Sequence, residues 1–168
     1  MLQMWSTGEQ TVRIVAFLNI RALAINIPYP FIETCLKGIY LTYVRNSKFT
    51  NAKTISLITF LSNCVIELYG LDFVSSYQHA FVYIRQLAIH LRQCLQNPTR
   101  KTMDTVLSWQ FFNSLRVWVK LLVAYPDEEE LKPLRYPVIQ IVTGLIRFSS
   151  LYINTKTNFF FKIFPIEI

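Results

Sequence analysis

Apolar residues recur at helical spacing along most of the chain, and helix-breaking residues punctuate them at regular intervals. Val12, Val15, Ala16, Ile20 and Leu23 mark a first helix, with Thr7 as N-cap and Gln10 in capping-box position, ending before Pro28. Pro30 opens a second helix whose apolar side carries Phe31, Cys35, Ile39 and Val44. Asn51 is placed to cap a third helix bearing Ile55, Ile58, Leu61 and Val65, with Gly70 as its C′ residue. Asp72 caps a fourth, which reaches Asn97 and carries a stripe of Tyr77, Phe81, Ile84, Ala88, Leu91 and Leu95. A fifth helix is predicted over 102–124, apolar on most sides through Trp109, Phe112, Leu115, Trp118 and Leu122. Asp127–Glu130 open a short turn, Pro133 breaks the pattern, and Pro137 restarts it for Val138–Phe148.

No strand alternation of comparable strength precedes residue 150, and the connections are short, which favours antiparallel packing of consecutive helices. The expected fold is all-α: antiparallel helical pairs stacked as a HEAT- or armadillo-like solenoid segment, with a closed bundle as runner-up. The helical domain is expected over 7–152. Residues 153–168 lose the helical period and are expected to be an atypical, truncated or non-native tail.

Composition narrows the class. With 52% hydrophobic and 16% charged residues in 168, the chain buries a substantial core and is too apolar for disorder. The longest charge-free runs, Thr54–Ile66 and Phe73–Ile84, fall short of the ~20 residues of a bilayer span. Arg21 interrupts the early apolar run that a signal peptide would need, so a soluble intracellular chain without a membrane partner is expected. Three isolated cysteines, Cys35, Cys64 and Cys94, read as reduced buried thiols. The formal charge of +7 favours an anionic partner, although the basic residues are scattered.

The chemistry-bearing residues form no catalytic pattern. His79 and His90 share a flank of the fourth helix without further ligands at metal spacing. Asp72, Ser75, Ser76 and His79 lie within one helix start, where capping explains them better than a triad. The four glycines form no phosphate-binding loop, and the acidic run at 127–130 suits a helix start better than a cation site. No enzyme, cofactor or metal is expected.

Two surface groups stand out. Arg85 and Arg92 share one face of the fourth helix with Val82 and Ile89, an apolar strip framed by guanidinium groups as at binding surfaces. Arg45, Lys48 and Lys53 gather around the turn between the second and third helices, where phosphates or acidic side chains have easy access. A solvated surface competes with both readings.

Four blocks then carry a resemblance: CLKGIYLTYVRNSKFTNAKT (35–54), IELYGLD (66–72), YQHAFVYIRQLAIHLRQCL (77–95) and WQFFNSLRVW (109–118). With LKPLRYPVIQIVTGLIR (131–147) in the same order, they resemble the nucleolar complex protein 2 family over roughly residues 7–152. The resemblance implies a HEAT-like, non-enzymatic scaffold of the nucleus and nucleolus that serves large (60S) ribosomal subunit biogenesis. Its implied partners are other nucleolar complex proteins and pre-60S particles, with rRNA contact and rRNA processing in view. It also implies an alternative, a nuclear co-repressor that binds histones or a transcription factor. Proteins of the family are several times longer, and the tail from Ile153 does not resemble them.

Overall fold

The computed structural model describes residues 1–153, with side chains through Ser150, so the tail expected to be atypical lies outside the described residues except for Ile153, which is the last residue of a helix. These form α1 (Leu2–Thr7), α2 (Gln10–Asn26), α3 (Phe31–Asn46), α4 (Ile55–Tyr69), α5 (Phe73–Gln96), α6 (Arg100–Val106), α7 (Trp109–Ala124) and α8 (Arg135–Ile153). A 3-10 turn, Glu129–Leu134, leads into α8, and no strand occurs among the described residues. None of the described helices is long and apolar enough to cross a membrane.

Three boundaries differ from expectation for local reasons. Thr7 closes α1 instead of capping α2, and its Oγ1 donates to the Gln3 carbonyl at 2.9 Å. The stretch expected as one helix over 102–124 is two, because Ser108 is extended and its hydroxyl caps α7 by accepting from the Phe111 amide. A capped start satisfies backbone donors that a continuous helix would satisfy internally, so the break carries little penalty. Asn51 forms a turn that accepts from the Lys53 and Thr54 amides, and α4 begins only at Ile55. Gly70 ends α4 with φ at −79°, so it does not supply the left-handed conformation expected of a C′ glycine. Asp72 caps α5 as the sequence indicates, accepting from the Val74 amide and, at 2.6 Å, from the Ser75 hydroxyl.

The inward stripes of α2 and α5 are rotated from those expected. On α2, Ala16, Phe17, Ile20 and Ala24 are buried while Val12 and Val15 are exposed. On α5, Ser76, Ala80, Ile84, Leu87, Leu91 and Cys94 face inward, whereas Phe81 and Leu95 lie largely in solvent. Small residues win these positions because α5 is packed against α3, α7 and α8 at once, and close approach favours Ser and Ala over Phe. At the α5–α8 contact a Cβ on Gly144 would stand 3.0 Å from Leu91 Cδ2.

The centre of the core is aromatic. Tyr40 (α3), Tyr69 (α4), Tyr83 (α5) and Trp118 (α7) converge, with ring centroids 4.2 Å apart for Tyr40–Tyr83, 4.7 Å for Tyr40–Trp118 and 5.4 Å for Tyr69–Trp118. Two buried phenols reach backbone acceptors: Tyr43 Oη donates to the Asn113 carbonyl at 3.0 Å and Tyr69 Oη to the Leu36 carbonyl at 3.3 Å. These bonds tie α3 to α7 and α4.

Burial holds these phenols protonated. It pushes Tyr40 up to about 12 and raises Tyr43 and Tyr69 still more clearly above the usual phenol value of 10.0. Since the folded values are raised, their contribution is complete below pH 10 and is lost as pH climbs through the folded values. Urea denaturation is therefore expected to report constant stability only up to about pH 8, because burial also raises the thiols, Cys64 above all, from their usual value of 9.0 and they begin to cost stability as they ionise in the unfolded chain. Above pH 10 stability falls by up to about 1.4 kcal/mol per pH unit for each buried phenol that ionises on unfolding. A flat profile to pH 11.5 contradicts this burial.

Candidate interaction surfaces

The outer side of α5 presents the first predicted surface. Residues spaced three and four apart fall on one helix face, so the inward stripe leaves Val74, Gln78, Val82, Arg85, Ile89 and Arg92 together on the opposite side. Val82 is 60% and Ile89 36% exposed, and Val74 and Phe81 extend the apolar strip. Two ion pairs are recorded among the described side chains, Arg21–Glu67 and Lys132–Glu129, and neither involves Arg85 or Arg92. The face thus offers exposed methyl groups between two guanidinium groups.

The second predicted group is exposed, with Arg45 in the last turn of α3 and Lys48 and Lys53 on the α3–α4 connection. That connection is fastened to α7. Buried Asn113 donates through Nδ2 to the Ser47 carbonyl and to Thr50 Oγ1, each at 2.9 Å, and Gln110 Nε2 reaches the Val44 carbonyl at 3.3 Å. A fastened loop holds its charges with less entropic cost on binding. The two groups do not merge into one surface, because α5 meets α3 through the Tyr83 side, opposite Arg85 and Arg92.

A third surface is absent from the sequence reading. Tyr40, Leu41 and Val44 of α3, Tyr83, Gln86, Leu87 and His90 of α5, and Thr105, Ser108, Gln110, Phe111 and Ser114 around the α6–α7 break line a cleft of about 340 Å³. Gln86 Nε2 and His90 Nε2 are hydrogen-bonded across one wall at 3.1 Å. A wide, shallow extension, lined also by Arg100, Lys101 and Asp104, shares Thr105, Ser108 and Gln110 with it. Its residues come from four helices, so no single stretch announces it. The local clue was the Thr99 and Ser108 caps bracketing a short helix.

Reactive chemistry is muted. Cys35, Cys64 and Cys94 are buried free thiols, and burial pushes Cys64 up to about 11. Partial burial lowers His79, opposed by Glu33 and assisted by Lys37. Among the described residues no three histidine, cysteine or carboxylate side chains gather as a metal site. In the acidic run, Glu129 pairs with Lys132, and Arg135 donates to the Pro126 carbonyl.

The sequence profile described as the Noc2p family matches residues 30–163, a span that runs past residue 153. The chain is 45% identical to "Nucleolar complex protein 2" of Drosophila melanogaster over 86% of its own length and 19% of that protein. It is 42% identical to "Nucleolar complex-associated protein 2" of Arabidopsis thaliana, over 87% of this chain and 19% of that protein. Similarity to the "Nucleolar complex protein 2 homolog" of Caenorhabditis elegans is 31%, over 87% of the chain and 21% of the relative. The chain therefore spans about a fifth of the length of the curated relatives it matches. It belongs to the Noc2p family.

Proposed function

We propose that this chain is a non-enzymatic docking segment of a nucleolar scaffold that assembles the large ribosomal subunit. Its partners in this reading are other nucleolar complex proteins and pre-60S particles, and its helices form part of a longer HEAT-like stack. The observation that carries the reading is family membership together with nucleolar-complex names at 42% and 45% identity. The Val82–Arg85–Ile89–Arg92 face supports it as the docking surface, since apolar side chains between arginines suit a protein partner whose edge is acidic. A histone-binding co-repressor is not favoured: the acidic run it would use is short and partly neutralised by Lys132.

The test is gradient sedimentation of tagged chain in nuclear extract at moderate salt. Wild-type protein is expected to co-migrate with large-subunit precursors. The Val82→Glu/Ile89→Glu double variant, both positions being exposed, should keep its circular dichroism and lose at least half of that co-migration. Unaltered migration of the variant rejects the α5 face as the dock, and wild-type protein confined to light fractions rejects the assembly reading itself.

A further inference from the structure

The cleft between α3, α5 and the α6–α7 break lies on a different surface from the α5 outer face, and its chemistry is different. The outer face offers methyl groups between arginines, whereas the cleft offers an aromatic floor, amides and hydroxyls. Tyr83 is half-buried, with its ring held by Tyr40 and Trp118 at centroid distances of 4.2 and 6.2 Å. Contacts on those neighbours fix the ring in place, so it is a preformed platform where it borders the cleft. Gln86, His90 and Gln110 line the cleft beside that ring; each already holds one hydrogen bond within the protein, and the Gln86 and Gln110 carboxamide oxygens and the second His90 ring nitrogen are the polar atoms left to meet a base edge. The cleft volume, about 340 Å³, lies within the ~300–1,000 Å³ usual for ligand sites.

The charge at the mouth is positive. Arg100 and Lys101 line the shallow extension with Asp104 as its single acid, and Arg45 stands one helical turn beyond Leu41, which lines the cleft from α3. Lys48 sits on the connection that Asn113 fastens to α7, and Arg45 in the last turn of α3 just before it. Basic side chains bordering an aromatic pocket lined with amides form the combination that single-stranded nucleic acid uses, phosphates on the rim and a base on the ring. An acidic peptide without aromatic side chains would engage the rim but has no flat group for the floor.

We propose that this cleft binds single-stranded RNA, seating one base against Tyr83 and placing the adjoining phosphates on Arg100 and Lys101. This adds an RNA ligand to the assembly reading at a separate surface. It is measured on the isolated 168-residue chain without particles, so the failure of either leaves the other standing.

The experiment is fluorescence anisotropy with a labelled single-stranded mixed-sequence RNA 12-mer. Three competitors accompany it: its abasic counterpart, the corresponding duplex, and an oligoglutamate peptide. The expected result is binding of the single strand at least tenfold tighter than the abasic strand, the lower range for one stacked base. Duplex and oligoglutamate should compete poorly. Thr105→Trp, at an exposed position that fills the cleft, should lower affinity at least tenfold with unchanged thermal unfolding. Arg100→Glu/Lys101→Glu should flatten the salt dependence by about 1.4 in log–log slope, for two phosphates on a single strand. Equal binding of normal and abasic strands overturns the base pocket. Preference for oligoglutamate reassigns the cleft to an acidic protein partner, and undiminished binding by both variants overturns the site.

Discussion

Replacing Trp118 with alanine is expected to cost about 3–5 kcal/mol, the upper range for deleting a buried aromatic side chain. Trp118 is 1% exposed on α7 and is touched by tyrosines from three other helices. Its removal therefore opens a void where α3, α4, α5 and α7 meet, and none of these can collapse inward without releasing another. The Tyr43–Asn113 and Tyr69–Leu36 hydrogen bonds hold the surrounding backbone in place, which limits relaxation further. For a chain of this size the loss corresponds to a fall in Tm of roughly 6–20 °C. Trp118→Phe keeps an aromatic ring there and should recover more than half of the deficit. A loss below 1 kcal/mol in urea denaturation would show that the cluster is not the common support of these helices.

A second large effect is expected at Trp5. This side chain is 0% exposed and lies against the Cys64 thiol on α4, anchoring a helix of six residues. So short a helix has no independent stability in water. It is held instead by docking, which also brings Leu2 so close to α3 that a Cβ on Gly38 would stand 2.8 Å from Leu2 Cδ1. Trp5→Ala is expected to cost about 3–5 kcal/mol if α1 stays docked over the cavity. If α1 instead detaches, the cost is smaller and trypsin cleavage at Arg13 accelerates several-fold. Thermal unfolding combined with timed proteolysis separates the two. Stability within 1 kcal/mol of wild type together with unchanged cleavage would refute the anchoring role.

Much of the helical content was readable because punctuation is local. Pro28, Pro30, Asp72 and Pro98 act through the backbone within a few residues, and the boundaries beside them fall close to where the sequence puts them. The outer face of α5 was legible too: exposed Val82 and Ile89 sit out of phase with the inward stripe. The basic turn was visible as a run of charges, but its attachment was not. Asn113 lies more than sixty residues away in sequence from the Ser47 carbonyl it binds, and nothing near Ser47 signals that bond.

The failures share a cause. Helix α1 is too short for periodicity and exists because Trp5 is buried by others. The break at Ser108 looked like continuous helix because the residues on both sides are good apolar helix material, and packing decided where the chain turned. The stripe of α5 was misplaced toward Phe81 because large side chains dominate a hydrophobic pattern, whereas a helix packed on several sides buries Ser76 and Ala80.

The sequence by itself determined that the chain is helical, where most helices begin and end, which charges lie outside, and which family's segments it resembles. These follow from interactions among neighbours along one helix, whose geometry is the same wherever the helix is placed. Only the tertiary structure decided which side of α5 turns inward, that four aromatic rings meet at Trp118, and that residues from α3, α5, α6 and α7 enclose a cleft. Those features depend on distances between helices, and such distances are fixed by the fit of side chains drawn from distant parts of the chain.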